Sequence, residues 1–332
     1  MTGTTRTLGN SGIEVSPIGV GCWAIGGPLH AGGEQFGWGA VDDTESTAAL
    51  HRAFDLGATF FDTASNYGAG HSETVLGRAF AGRRDQVVIA TKWGNTFDES
   101  TGESTGQDAT PAYLRTAIDG SLRRLGTDYV DLYQFHISDA PLSAALDLVD
   151  TLEDLVAAGK IRAYAWSTDD PASAEGFAAK APHCAAVQHD FSVLNPAAEM
   201  VAVVESLGLA SIARGPLAMG LLSGKYHDGR RVAADDVRAQ GHQWISYFGQ
   251  DGTGSAEHLS RIDAVREVLT SDGRTLAQGA LAWLLARTDA VIPIPGCRTV
   301  AQVEENLAVQ SPLTPAEFTQ VESLLRGRPV SG

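Results

Sequence analysis

Residues 58–68, "ATFFDTASNYG", decide how the rest of this chain is read. The apolar start has the β-branched and aromatic character of a buried strand, and the Ser, Asn and Gly at its end form turns. Asp62 therefore falls at the carboxyl end of a strand, with Tyr67 on the loop that follows. A buried carboxylate left without a partner costs about 3–5 kcal/mol, so a cation is expected beside it in space. The next two apolar runs end in suitable groups: "QVVIATK" (86–92) ends in Lys92, and "YVDLYQFH" (129–136) ends in His136. Three successive strand ends thus carry an acid, an amine and an imidazole.

Outward from this stretch, strand and helix alternate. "IGVGCWAIGG" (18–27) reads as a first core strand, followed by a Gly-rich loop, 26–39. "DDTESTAALHRAFDLG" (42–57) reads as a helix capped by Asp43 or Thr44 and closed by Gly57. Further helices are expected at 72–80, 111–124 and 144–157, with strands at 87–91 and 129–134 between them. The apolar runs "IRAYAW" (161–166), "CAAVQ" (184–188), "LASIA" (209–213) and "AVIPI" (290–294) bring the count to eight. Eight strand–helix units predict a closed (β/α)8 barrel, read as a single domain over 1–332. No G-x-G-x-x-G follows the first strand, which argues against a doubly wound sheet. "RTLGNSGIEVSP" (6–17) reads as an N-terminal β-hairpin lidding one end. Long loops at 24–40, 93–110 and 223–258 are expected to overhang the face formed by the strands' carboxyl ends.

Composition narrows the function classes. A 43% hydrophobic chain with no apolar run near the ~18 residues of a membrane span reads as globular, with no membrane partner. A net charge of −16 opposes binding to a phosphate backbone, which makes nucleic acid a poor partner. Cys22, Cys184 and Cys297 stand far apart without metal-ligand spacing, so neither a structural metal nor a disulfide framework is expected. Residues 1–15 show no secretory pattern, and a reducing cytoplasm is the expected setting.

In such a barrel all strand ends meet at one mouth, so Asp62, Lys92 and His136 become neighbours within reach of Tyr67. The ammonium is expected to lower the Tyr67 pKa, and Asp62 to keep Lys92 charged, which together make a general acid. The alternative is a structural ion pair with Tyr67 and His136 filling the mouth. Three consecutive polar strand ends and a tyrosine favour the functional reading.

These residues lie within segments that resemble the signature regions of the aldo-keto reductases: "FFDTASNYGAGHSETVLGRAF" (60–80), "ATKWG" (90–94) and "YQFHISD" (133–139). The likeness continues through "GKIRAYAWST" (159–168), "VQHDFSVL" (187–194), "GPLAMGLLSGKY" (215–226) and "IPIPGCRTVAQVEENLA" (292–308). The resemblance implies a barrel enzyme that moves hydride between NADP(H) and a small-molecule carbonyl or alcohol. It implies Tyr67 as proton donor, Lys92 and Asp62 as the pair that tunes it, and His136 as the residue that orients the carbonyl. By the same likeness Ser167, Thr168 and Gln188 hold the nicotinamide carboxamide and Phe191 stacks on its ring. Gly215, Pro216, Leu217, Gly220, Leu222 and Lys225 cover the pyrophosphate. Gly296, Arg298, Gln302, Glu305 and Asn306 take the adenosine end, with Arg298 selecting the 2′-phosphate of NADPH over NADH.

The chain departs from the family at several of these positions. Thr168 stands where an Asn is common, Phe191 where a Tyr is, and Arg214-Gly215 where Tyr-Ser is. Arg214 is expected to pair with Asp190, and Arg298, if not bound to phosphate, with Glu304. Trp23 and Trp93 are the first candidates for the substrate pocket. His30, His71, His189 and His242 read as structural, and Cys297 as a small buried residue. Two rival functions remain: a nicotinamide-binding redox-sensing barrel with little turnover, and a hydrolase using Asp62 with a second acid.

Overall fold

The computed structural model describes residues 5–326; the outermost parts of the expected domain, 1–4 and 327–332, lie outside them. Eight parallel strands form the barrel: β1 Val20–Gly21, β2 Phe60–Asp62, β3 Val88–Trp93, β4 Val130–Phe135, β5 Ile161–Ser167, β6 Cys184–Asp190, β7 Ala210–Arg214 and β8 Val291–Pro293. Each pairs with the next in chain order. The ring closes where Gly19 and Gly21 donate backbone N–H groups to Pro293 O (2.9 Å) and Pro295 O (3.0 Å). A Cβ on Gly21 would sit 2.7 Å from Ile294 O, so this seam requires glycine.

Helices α1 (Asp43–Asp55), α2 (His71–Ala79), α3 (Pro111–Leu125), α4 (Leu142–Leu146), α5 (Val149–Ala157), α6 (Pro171–Ala178), α7 (Ala198–Leu207), α8 (Ala256–Leu269), α9 (Leu276–Arg287), α10 (Val300–Leu307) and α11 (Pro315–Arg326) surround the strands. The expected helix 144–157 is thus two pieces. The cap of α1 is Asp42, one residue earlier than expected: its Oδ1 accepts the Thr44 N–H at 2.8 Å, while Asp43 is free to bond His71 at 2.7 Å. None of these helices is long and apolar enough to cross a membrane.

Residues 6–15 form the expected hairpin, pairing Arg6–Thr7 with Glu14–Val15. Leu8, Ile13 and Val15 plug the amino end of the barrel against Phe60, Leu132, Ala186, Ile212 and Ile292. The fit is close, since a Cβ on Gly9 (φ +49°) would meet Ala185 O at 2.3 Å. At the other end, loops 24–40 and 93–110 each fold into a short hairpin, and the two join in a four-stranded sheet. The loop 223–258 packs beside them, where the Arg238 guanidinium lies 4.7 Å from the Trp38 ring and 5.3 Å from that of Phe248.

Candidate active site

Strand alternation decides which side chains reach the mouth. On β3 and β4, Lys92 and Gln134 are in register and point inward, while Trp93, Tyr133 and Phe135 pack outward toward the helices. Trp93 is therefore no part of the substrate pocket. It is wholly buried, 5.2 Å from Phe135 and 6.4 Å from Tyr113. Trp23 does stand at the mouth, stacked 5.9 Å from Tyr67 and edge-on to Trp38 at 5.2 Å.

The four expected residues meet. Lys92 Nζ donates to Asp62 Oδ1 at 2.5 Å, to Thr63 O at 2.8 Å and to the Tyr67 hydroxyl at 3.1 Å. The other oxygen of Asp62 accepts from Gln134 Nε2 (2.7 Å) and Gln188 Nε2 (2.8 Å). Gln134 was not singled out from sequence. Its signal was a polar residue inside the apolar run "VDLYQF", two positions before His136. The His136 ring stands edge-on to Tyr67 at 6.0 Å, with a buried Nδ1 that has no hydrogen-bond partner among the described residues.

Burial changes the electrostatic expectation. Loss of hydration raises the Tyr67 pKa above its usual value, outweighing the Lys92 charge that was expected to lower it. For Lys92 desolvation pulls downward, but Asp62 and Tyr67 together hold it above the ordinary lysine value. Enclosure, with help from the Lys92 and Arg214 charges, pushes His136 well below the usual imidazole range. The site at neutral pH thus holds a protonated phenol, an ammonium and a neutral imidazole.

The remaining candidates divide. Ser167 ends β5 beside Gln188, and its hydroxyl has no hydrogen-bond partner among the described residues. The Thr168 hydroxyl is buried and donates to Ser138 O at 2.8 Å, so it has no hydrogen left for a ligand. Both hydrogens of the Gln188 amide go to Asp62 and Gln134, leaving its oxygen. Phe191 does not face the mouth: its fully buried ring lies 5.3 Å from His189 and 5.8 Å from Trp283, because the chain turns into the core after β6. Arg214 pairs with Asp169, not Asp190. Asp169 uses its other oxygen on the Asp190 N–H (2.7 Å), and Asp190 accepts from Asn195 (3.0 Å) and Tyr247 (3.2 Å).

After β7, Gly215, Pro216 and Leu217 lead into Ala218, Met219 and Gly220, which have successive φ values of +48°, +55° and +92°. Two of these three are not glycine, so strain is concentrated in this loop. Leu222 is buried beneath it and Lys225 is exposed. After β8 come Gly296, Arg298 and the helix with Gln302 and Glu305. The Gln302 side chain accepts the Arg298 N–H at 2.8 Å, and the buried Asn306 amide donates to Cys297 Sγ at 3.3 Å. The Arg298 guanidinium donates to Trp38 O (3.2 Å) and Ala40 O (2.5 Å); Glu304, its expected alternative partner, is held by Arg52 at 2.8 Å.

The model of the aldo/keto reductase family matches residues 17–326. The aldo-keto reductase YhdN of Bacillus subtilis is 31% identical over 302 residues, covering 90% of this chain and 86% of that one. The NADP(+) aldo-keto reductase yakc of Schizosaccharomyces pombe is 31% identical over 340 residues, 99% of this chain and 93% of its own. Among solved structures, the glycerol dehydrogenase AKR11B4 of Gluconobacter oxydans superposes with a TM-score of 0.81 at 28% identity, covering 100% and 98% of the two chains. An aldo/keto reductase of Klebsiella pneumoniae in complex with NADP and acetate does so with a TM-score of 0.70 at 27% identity, covering 98% and 96%. A barrel whose mouth joins Asp62, Tyr67, Lys92 and His136, matched over nearly its whole length, belongs to the aldo/keto reductase family.

Proposed function

We propose that the chain interconverts a small carbonyl compound and its alcohol using NADP(H), with Tyr67 as the proton donor and acceptor. The observation that carries this reading is the Tyr67 hydroxyl, held 3.1 Å from a buried ammonium and facing a neutral imidazole. When bound, the dinucleotide supplies or accepts the hydride. The free Ser167 hydroxyl, the open Gln188 oxygen, the strained 218–220 loop and an Arg298 bonded to carbonyl oxygens all fit such a ligand. The yeast relative and the Klebsiella structure, both associated with NADP by name, support the same cofactor.

Each side chain then has a role that follows from its surroundings. Tyr67 keeps its proton at neutral pH and can give it to a carbonyl oxygen as negative charge develops there. The phenolate left behind is stabilised by Lys92, and Lys92 cannot swing away because Asp62 is itself fixed by Gln134 and Gln188. With Nδ1 enclosed, His136 offers its other nitrogen as a hydrogen-bond donor to the same oxygen. Trp23 gives the pocket an apolar wall over Tyr67. The test is NADPH consumption against a panel of aldehydes, ketones and keto-sugars. Carbonyl-dependent oxidation of NADPH is expected, and NADPH binding without turnover on any of them would contradict the reading.

A further inference from the structure

The turn after β7 is left-handed at three residues in a row, and two of them, Ala218 and Met219, carry side chains. Glycine takes such φ values freely. Other residues do not, so their surroundings must hold them there. Within the turn, the Gly220 and Leu222 N–H groups both donate to Leu217 O, at 2.9 and 3.1 Å. Met219 O is met from outside the turn: Arg238 Nη1, on the loop 223–258, donates to it at 2.9 Å. The guanidinium lies so close that a Cβ on Gly220 would stand 3.2 Å from the same nitrogen.

Arg238 is itself fixed. Its Nε and Nη2 donate side by side to Asp236, at 2.8 and 2.6 Å, which leaves Nη1 pointing away from the carboxylate toward the turn. The rings of Trp38, Tyr226 and Phe248 surround the guanidinium at 4.7, 5.3 and 5.3 Å. The two charged side chains are only 11% and 8% exposed. Between them in sequence, the Val237 N–H donates to Gly37 O at 3.2 Å, so the same short segment is also tied to the loop 24–40.

We propose that Arg238 is a positioning residue for cofactor binding: by holding Met219 O it keeps the strained 218–220 turn formed before a dinucleotide arrives. The proposal rests on the reading of 215–225 as the segment that covers the pyrophosphate. A turn that must first be ordered by its ligand lowers the apparent affinity by the fraction of molecules in which it is formed. Arg238 acts through the backbone it fixes, and needs no contact with the cofactor.

The test uses Arg238→Met made together with Asp236→Asn, so that no enclosed carboxylate is stranded. In the free protein, hydrogen exchange at the Gly220 and Leu222 amides should speed up by about tenfold, the lower end for losing a hydrogen bond from a charged donor. By calorimetry NADPH should weaken by a similar factor, whereas 2′,5′-ADP, which has no pyrophosphate, should bind as before. Both losses should shrink to about twofold or less in a Met219→Gly background, where the left-handed residue is no longer strained. Unchanged exchange, equal weakening of both nucleotides, or equal losses with Met219 and with glycine would each overturn the proposal. Faster exchange with unchanged NADPH binding would instead show that the reading of 215–225 as a pyrophosphate cover is wrong.

Discussion

Lys92 and Asp62 form an ion pair 2.5 Å long, with side chains 0% and 3% exposed, at the centre of the barrel mouth. A pair this enclosed contributes through what its loss leaves behind. Lys92→Met strands a buried carboxylate and should destabilise the fold by about 3–5 kcal/mol in urea unfolding, besides reducing turnover. Adding Asp62→Asn should return much of the stability and none of the turnover. Recovery of both would show that the pair acts only in folding.

The pH profile follows from the shifts at the mouth. Reduction needs protonated Tyr67, whose pKa is raised, so activity should stay level through neutral pH and fall only in alkali, above about 10. The reverse oxidation needs the deprotonated phenol and should rise toward the same region. His136 is pushed well below its usual value, so no inflection is expected near pH 6.5. A drop in reduction between about pH 7 and 9 would mean that Lys92 outweighs burial after all.

Trp23 and Trp93 should separate cleanly. Trp93→Ala empties a core site and should cost about 3–5 kcal/mol of stability while leaving the ranking of substrates unchanged. Trp23→Ala should change that ranking with much less effect on unfolding, because its ring is partly exposed above Tyr67. A shift in substrate ranking from Trp93→Ala would contradict its placement outside the barrel.

The barrel could be read from the chain because its strands are short apolar runs separated by helical periods, and because three of them end in chemistry-bearing residues. Which side chains enter the mouth was less legible. Trp93 sits next to Lys92 in sequence yet faces the opposite way, a consequence of period-two alternation that a motif match ignores. Gln134 was missed for the complementary reason: it alternates inward with Lys92 but carries no charge to draw notice. The sign of the Tyr67 shift depends on how much water the folded mouth excludes, which no spacing encodes. The partner of Arg214 and the two carbonyls on Arg298 were not legible, because Asp169, Trp38 and Ala40 reach them from loops whose paths are set by tertiary packing.

The central claim is that Tyr67 delivers the proton, and single-turnover oxidation of bound NADPH in Tyr67→Phe tests it most directly. The change removes one hydroxyl from a ring that stays packed under Trp23, so the fold and 2′,5′-ADP binding should be unaltered. The account predicts a loss of roughly 10²–10⁴ in the rate of NADPH oxidation by a carbonyl substrate, the range for a missing general acid. A variant that oxidises NADPH at the wild-type rate would contradict it.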